Sequence, residues 1–105
     1  GSVSVRESMI AIMMNRANNI TGYYVASQGG ISGTVVDNRL ILHVALQSLS
    51  SSFILVHNHP SGNTGPSHSD KKSTEKIKTA AAYMDIKVLD HVILTEDSYF
   101  SFADA

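Results

Sequence analysis

Two histidines and one aspartate are spaced so that together they can ligate a divalent metal ion. His57 and His59 stand at the end of the most strand-like segment of the sequence, and Asp70 follows after a loop that contains both prolines. Because side chains i and i+2 of a strand point to the same face, the two imidazoles are expected to lie side by side. Two imidazoles, one carboxylate and an open fourth position are a common arrangement for catalytic zinc. Such a ligand set does not select zinc uniquely, so another divalent ion stays an alternative.

The orientation of Asp70 follows from the phase of a helix predicted over about residues 68–84. At about 100° per residue, Asp70 falls on the same stripe as three apolar residues, Ile77, Ala81 and Met84. This stripe faces the core in an amphipathic helix, so the carboxylate is expected to point toward the sheet. A second interpretation is a capping box, in which Ser67 caps the helix and Asp70 accepts a hydrogen bond from the cap N–H. The two interpretations compete for the Asp70 oxygens.

Glu7 and His91 are weighed against plain structural roles. Glu7 lies at the edge of the first predicted strand, where it is either a general base within reach of a water molecule or a surface acid. His91 alternates with apolar residues on a late strand, which favours a hydrogen-bonded structural histidine over a metal ligand. The neighbouring Asp90 is then expected on the opposite face, paired with a loop or a cap.

The elements that must position these residues are predicted from hydrophobic periodicity and turn residues. Strands are expected over residues 8–14, 20–27, 31–36, 53–59, 86–95 and 98–102, and helices over residues 39–49 and 68–84. The order β-β-β-α-β-α-β-β indicates an α/β fold with a mixed β-sheet and helices packed on it. The segment 53–59 is apolar on both faces until His57, as expected for a central strand. Asp37 or Asn38 is expected to cap the first helix.

Length and composition exclude several classes of protein. The 105 residues correspond to a single domain, with 43% hydrophobic and 16% charged residues, as is typical of a globular chain. The absence of cysteine excludes disulfides and thiol catalysis. A net charge of −1 argues against tight non-specific binding to nucleic acid and against a polybasic membrane anchor. No apolar run is long enough to span a bilayer and no signal peptide is visible, so a soluble, cytoplasmic domain is expected. Gly1-Ser2 resembles a cloning remnant.

The spacing of the candidate residues resembles that of a known family. The run His57-Asn58-His59-Pro60, followed at a fixed distance by Ser67 and Asp70, is similar to the JAMM motif of MPN-domain metalloproteases. The wider context resembles bacterial RadC proteins from Arg6-Glu7 to residues 99–102, and includes the stretches 54–62, 66–67 and 89–93. RadC proteins usually carry an N-terminal helix-hairpin-helix segment. Nothing in this sequence corresponds to that segment, so a DNA-binding role attached to it is not carried over.

The resemblance implies a cytidine-deaminase-like three-layer sandwich with one zinc ion (Zn2+). His57, His59 and Asp70 then fall on the ligand positions, Glu7 on that of the general base, and Ser67 on that of the residue that hydrogen-bonds the developing oxyanion. These roles agree with metal-assisted attack on an amide carbonyl. The implied activity is hydrolysis of a peptide or isopeptide bond in a peptide or protein substrate. Two alternatives are kept: a non-catalytic scaffold that keeps the fold and the metal, and an accessory role in DNA repair, which the net charge does not favour.

Overall fold

Five strands and two helices are formed in the residues that the computed structural model describes, which are 7–29, 37–59 and 65–104. The strands are β1 (Glu7–Met14), β2 (Ile20–Gly29), β3 (Ser52–Asn58), β4 (Lys87–Leu94) and β5 (Tyr99–Ser101), and the helices are α1 (Asn38–Gln47) and α2 (His68–Ala82). These elements match their predicted positions to within about two residues at each end, the usual uncertainty of a boundary. The strand predicted over residues 31–36 lies outside the described residues. None of the described helices has the length and apolar character that a membrane span requires.

The strands form one mixed sheet in the order β2-β1-β3-β4-β5, with β3 in the centre. β3 runs antiparallel to β1 and parallel to β4. A parallel pair needs a crossover connection, and α2 lies in that connection between β3 and β4. The crossover therefore brings the start of α2 near the carboxyl end of β3, where the two predicted histidines stand.

The hydrophobic core lies between one face of this sheet and both helices. Alternate residues of β1 and β3 are buried in the same cluster as residues of α1 and α2: Met9, Ala11, Met13, Phe53, Leu55, Ile41, Leu42, Ala45, Ile77 and Ala81. The α/β class with a mixed sheet is thus confirmed. Because both helices pack on the same face, the described residues form two layers of the expected three-layer sandwich.

The ends of α1 follow ordinary capping chemistry with one exception. The Asp37 side chain caps the helix by accepting a hydrogen bond from the Arg39 N–H at 2.9 Å, which confirms one of the two predicted caps. At the other end, Leu49 has a φ of 54° and is 87% exposed. This left-handed conformation is normally taken by glycine or asparagine after a helix, so Leu49 is strained where it stands.

Candidate metal centre

The carboxyl end of β3 and the first turn of α2 meet at a cluster of two imidazoles and one carboxylate. His57 is part of β3, whereas His59 follows the strand and donates its backbone N–H to the Leu94 carbonyl of β4 at 2.8 Å. Asp70 lies in the first turn of α2. One ligand atom from each of His57, His59 and Asp70 lies within 4.8 Å of the others. The structure therefore brings together the three residues that the sequence predicted as a ligand set.

The separations within the cluster fit a single small cation. Asp70 Oδ1 lies 3.6 Å from His57 Nδ1, and Asp70 Oδ2 lies 3.5 Å from His59 Nε2. Ligand atoms about 2.1 Å from a zinc ion at the corners of a tetrahedron stand about 3.4 Å apart. The imidazole rings are 4.5 Å apart between centroids and nearly perpendicular, at 82°. Two imidazole nitrogens and one carboxylate group at these distances suit zinc and similar divalent ions.

Asp70 caps the start of α2 and is also a member of the cluster. Its Oδ2 accepts a hydrogen bond from the Ser67 N–H at 2.9 Å, and the Asp70 N–H donates to Ser67 Oγ at 3.0 Å. The predicted capping box is thus confirmed. Oδ2 completes the cap and also lies near His59, while Oδ1 faces His57. The capping interaction consequently does not turn the carboxylate away from the two imidazoles.

The surroundings of Asp70 keep its carboxyl group ionised. Burial raises its pKa, but the hydrogen bonds to Ser67 and the nearby imidazoles of His57 and His59 together lower it by more. The net pKa of Asp70 lies below its usual value, so the carboxylate is charged at neutral pH. This is the protonation state that binds a cation.

The backbone of Glu7 lies at the same end of the sheet as the cluster. The next residue, Ser8, is the register partner of Asn58, and Met9 is that of His57. Asn58 Oδ1 accepts hydrogen bonds from both the N–H and the hydroxyl of Ser8, which fixes the start of β1 against the end of β3. The side chain of Glu7 lies outside the described part of the structure, so its role as a base stays a prediction.

Ser67 is exposed beside the cluster. Its hydroxyl accepts the Asp70 N–H, and this bond leaves the hydroxyl proton available for another acceptor. The geometry is therefore compatible with the predicted role of Ser67 as a donor to a developing oxyanion.

His91 is a buried, hydrogen-bonded histidine on β4, as predicted, and is 2% exposed. Its Nδ1 lies 2.6 Å from Thr74 Oγ1. Burial, followed by the electrostatic interaction with His57, lowers the pKa of His91 to about 4. Thr74 was missed by the sequence analysis. It lies four residues after Asp70 on the buried stripe of α2, and a polar residue on that stripe is the signal that would have found it.

Comparisons with known proteins agree with these observations. A family model described as "RadC-like JAB domain" matches residues 2–105. Among curated proteins, a UPF0758 protein of Flavobacterium johnsoniae is 45% identical over 98 residues, which are 93% of this chain and 43% of the relative. UPF0758 proteins of Porphyromonas gingivalis and Streptococcus gordonii are 41% and 40% identical, and each match covers 94% of this chain and 44% of the relative. The chain thus spans less than half the length of these curated relatives.

Proposed function

This chain belongs to the RadC-like JAB domain family, and we propose from that premise that it is a zinc-dependent hydrolase of peptide or isopeptide amide bonds. The observation that carries the proposal is the cluster of His57, His59 and Asp70, whose ligand atoms lie within 4.8 Å of one another. Structural zinc sites use four protein ligands, whereas catalytic sites use three and leave a position open. Among the described residues the cluster has three possible ligands, which favours a catalytic role over a purely structural one.

The proposed roles of the chain's own residues follow from their positions around this cluster. Zinc, when bound, would lower the pKa of a water molecule and polarise a carbonyl group. We assign to Glu7 the transfer of a proton from that water to the leaving amine, because its backbone lies at the cluster end of β1. Ser67 would donate a hydrogen bond from its hydroxyl group to the carbonyl oxygen as negative charge develops there.

The proposed substrate is an extended segment of a peptide or protein. β2 is an outer strand of the described sheet, and its last residue, Gly29, is the register partner of Glu7. An extended peptide can add to such an edge through main-chain hydrogen bonds. A peptide bound along β2 would therefore have one end near the cluster. A cytoplasmic location, which the composition favours, is part of the same proposal.

The first experiment measures the metal content of the wild-type chain and of His57→Ala after purification without added metal. We expect about one zinc per wild-type chain and none in the variant. Equal metal content in the two proteins would remove His57 from the site. A wild-type chain that takes up no zinc even when it is supplied would remove the proposed function altogether.

The second experiment compares the wild type and Glu7→Gln on a library of peptide amides. The variant keeps a side chain of the same shape, so it is expected to retain zinc while turnover falls about 100-fold or more. Glu75→Gln, which changes an exposed acid on α2, is the matched control and is expected to behave as wild type. If zinc is bound but the wild type cleaves no member of the library, the non-catalytic scaffold becomes the better proposal.

A further inference from the structure

Thr74 and His91 form a buried polar pair between α2 and β4. Thr74 Oγ1 lies 2.6 Å from His91 Nδ1, and the two residues are only 3% and 2% exposed. Neither belongs to the cluster of possible ligands, yet each lies beside one member of it. Thr74 follows Asp70 by one helical turn, and the His91 ring stacks 5.9 Å from the ring of His57.

The hydroxyl group of Thr74 also links His91 to the backbone of Asp70. Thr74 Oγ1 donates to the Asp70 carbonyl at 2.7 Å. Because a hydroxyl has a single hydrogen, Oγ1 then accepts the second bond, and His91 donates from Nδ1. Hydrogen bonds therefore connect β4 without interruption to the turn of α2 that presents Asp70.

The ring of His91 is itself held in place by the segment that follows β5. The ring of Phe102 stacks on it at 4.6 Å and 6°, and the Phe102 N–H donates to the His91 carbonyl at 3.0 Å. The Asp90 carboxylate accepts hydrogen bonds from Ser101 Oγ at 2.6 Å and from the Ala103 N–H at 2.9 Å, as predicted for a residue paired with a loop. Thr74 thus has a fixed partner on the sheet.

Ring packing alone does not account for an imidazole at this position. Its Nε2 is buried and has no hydrogen-bond partner among the described residues, which carries a desolvation cost. An apolar ring could make the stack on Phe102 without that cost. The feature that only His91 supplies is the Nδ1 hydrogen bond to Thr74.

We propose that Thr74 and His91 are positioning residues that set the distance between Asp70 and the two histidines of the cluster. This inference rests on the metal site of the proposed function. The capping box ties Asp70 to its own helix, whereas the Thr74–His91 bond ties that helix to the sheet one turn away. A small shift of α2 would change both His–Asp separations, and a metal site with fixed bond lengths is sensitive to such shifts.

The test compares the metal-binding properties of Thr74 variants without relying on turnover. Thr74→Val keeps the shape of the side chain but removes the hydroxyl, and we expect zinc affinity to fall about 10- to 100-fold, as when a group that orients a ligand is lost. The visible absorption spectrum of the cobalt-substituted protein, which reports coordination geometry, is expected to change. Thr74→Ser restores a hydroxyl and is expected to restore both properties. Thr79→Val, at an exposed position on the same helix, is the control and should match wild type.

His91→Phe provides an independent second variant, since it keeps the ring that stacks on Phe102 and loses Nδ1. We expect it to weaken zinc binding as Thr74→Val does, and the double variant to lose little more than either single one, because both remove the same bond. If both variants fold, bind zinc within about twofold of wild type and leave the cobalt spectrum unchanged, the inference is wrong while the metal site stands. If wild type itself gives no cobalt spectrum and binds no zinc, the proposed function fails and the inference with it.

Discussion

Asp70→Asn separates the two tasks that Asp70 performs. In the structure one carboxylate oxygen accepts the Ser67 N–H at 2.9 Å, and the other lies 3.6 Å from His57 Nδ1. The amide oxygen of asparagine can accept the same hydrogen bond, so the helix cap is expected to survive. The NH₂ group would then stand beside His57, and an amide nitrogen donates hydrogen bonds but does not ligate a cation.

The sizes of the two effects differ enough to be measured apart. Without metal, the variant loses a negative charge in the first turn of α2, which is worth about 0.3–1 kcal/mol. Asp70→Ala also loses the cap interaction and should cost about 1 kcal/mol more. For zinc binding, loss of an orienting group already lowers affinity 10- to 100-fold, so loss of a ligand should lower it by about 100-fold or more. At a zinc concentration of 100 Kd, wild type gains about 2.7 kcal/mol of stability, and Asp70→Asn should gain almost none.

Urea denaturation with and without zinc, together with competition against a chelator, measures both quantities on the same samples. Asp70→Asn is expected to unfold nearly like wild type when zinc is removed, and to lack the stabilisation that zinc gives. Ser67→Ala weakens the cap but leaves the three possible ligands in place, and Glu75→Gln removes an exposed acid elsewhere on α2. The reasoning is refuted if zinc stabilises Asp70→Asn as much as wild type, or if Ser67→Ala lowers zinc affinity to the same extent.

Two further predictions concern stability. In the metal-free protein, the pKa of His91 is lowered from 6.5 to about 4, chiefly by burial. As the pH falls, His91 therefore takes up a proton in the unfolded chain before it does so in the folded one. About 3 kcal/mol of stability is consequently present above pH 6.5 and lost between pH 6.5 and 4. His91→Phe should remove this loss from a plot of unfolding free energy against pH, and an unchanged plot would contradict the assignment. Leu49 has a φ of 54°, so Leu49→Gly should raise the free energy of unfolding by about 1 kcal/mol, whereas Leu49→Ala, which keeps the Cβ atom, should not. An equal gain in both would show that loss of the exposed leucine, rather than relief of strain, is responsible.

The orientations of the possible ligands could be predicted because each depends on the period of its own element. Alternation along a strand places His57 and His59 on one face, and helical phase places Asp70 on the stripe that carries Ile77 and Ala81. The observed buried residues of α2 are Thr74, Ile77 and Ala81, which confirms that stripe. Met84, which was predicted to share it, instead follows the helix and is 46% exposed. The error arose because α2 ends at Ala82, before the stripe can reach Met84.

The contacts between elements could not be predicted in the same way. Thr74 and His91 are brought together by the packing of α2 on β4, and no periodicity in either segment indicates the other as a partner. The stack of Phe102 on His91 likewise depends on the return of β5 to the edge of the sheet. For Asp70, helical phase gives the direction of the carboxylate but not which of its two oxygens contacts which partner. That assignment needs the distances to Ser67, His57 and His59.

The topology explains why residues so far apart in the sequence meet at one place. The parallel pairing of β3 and β4 sends the chain through α2, so the first turn of that helix returns to the carboxyl end of β3. The antiparallel pairing of β1 with β3 brings the start of β1 to the same end. A slip of one residue in that pairing would move every side chain of β1 to the opposite face of the sheet. Asn58 opposes such a slip, because it binds both the N–H and the hydroxyl of Ser8. The residue between the two histidines thus fixes the register on which the proposed base depends.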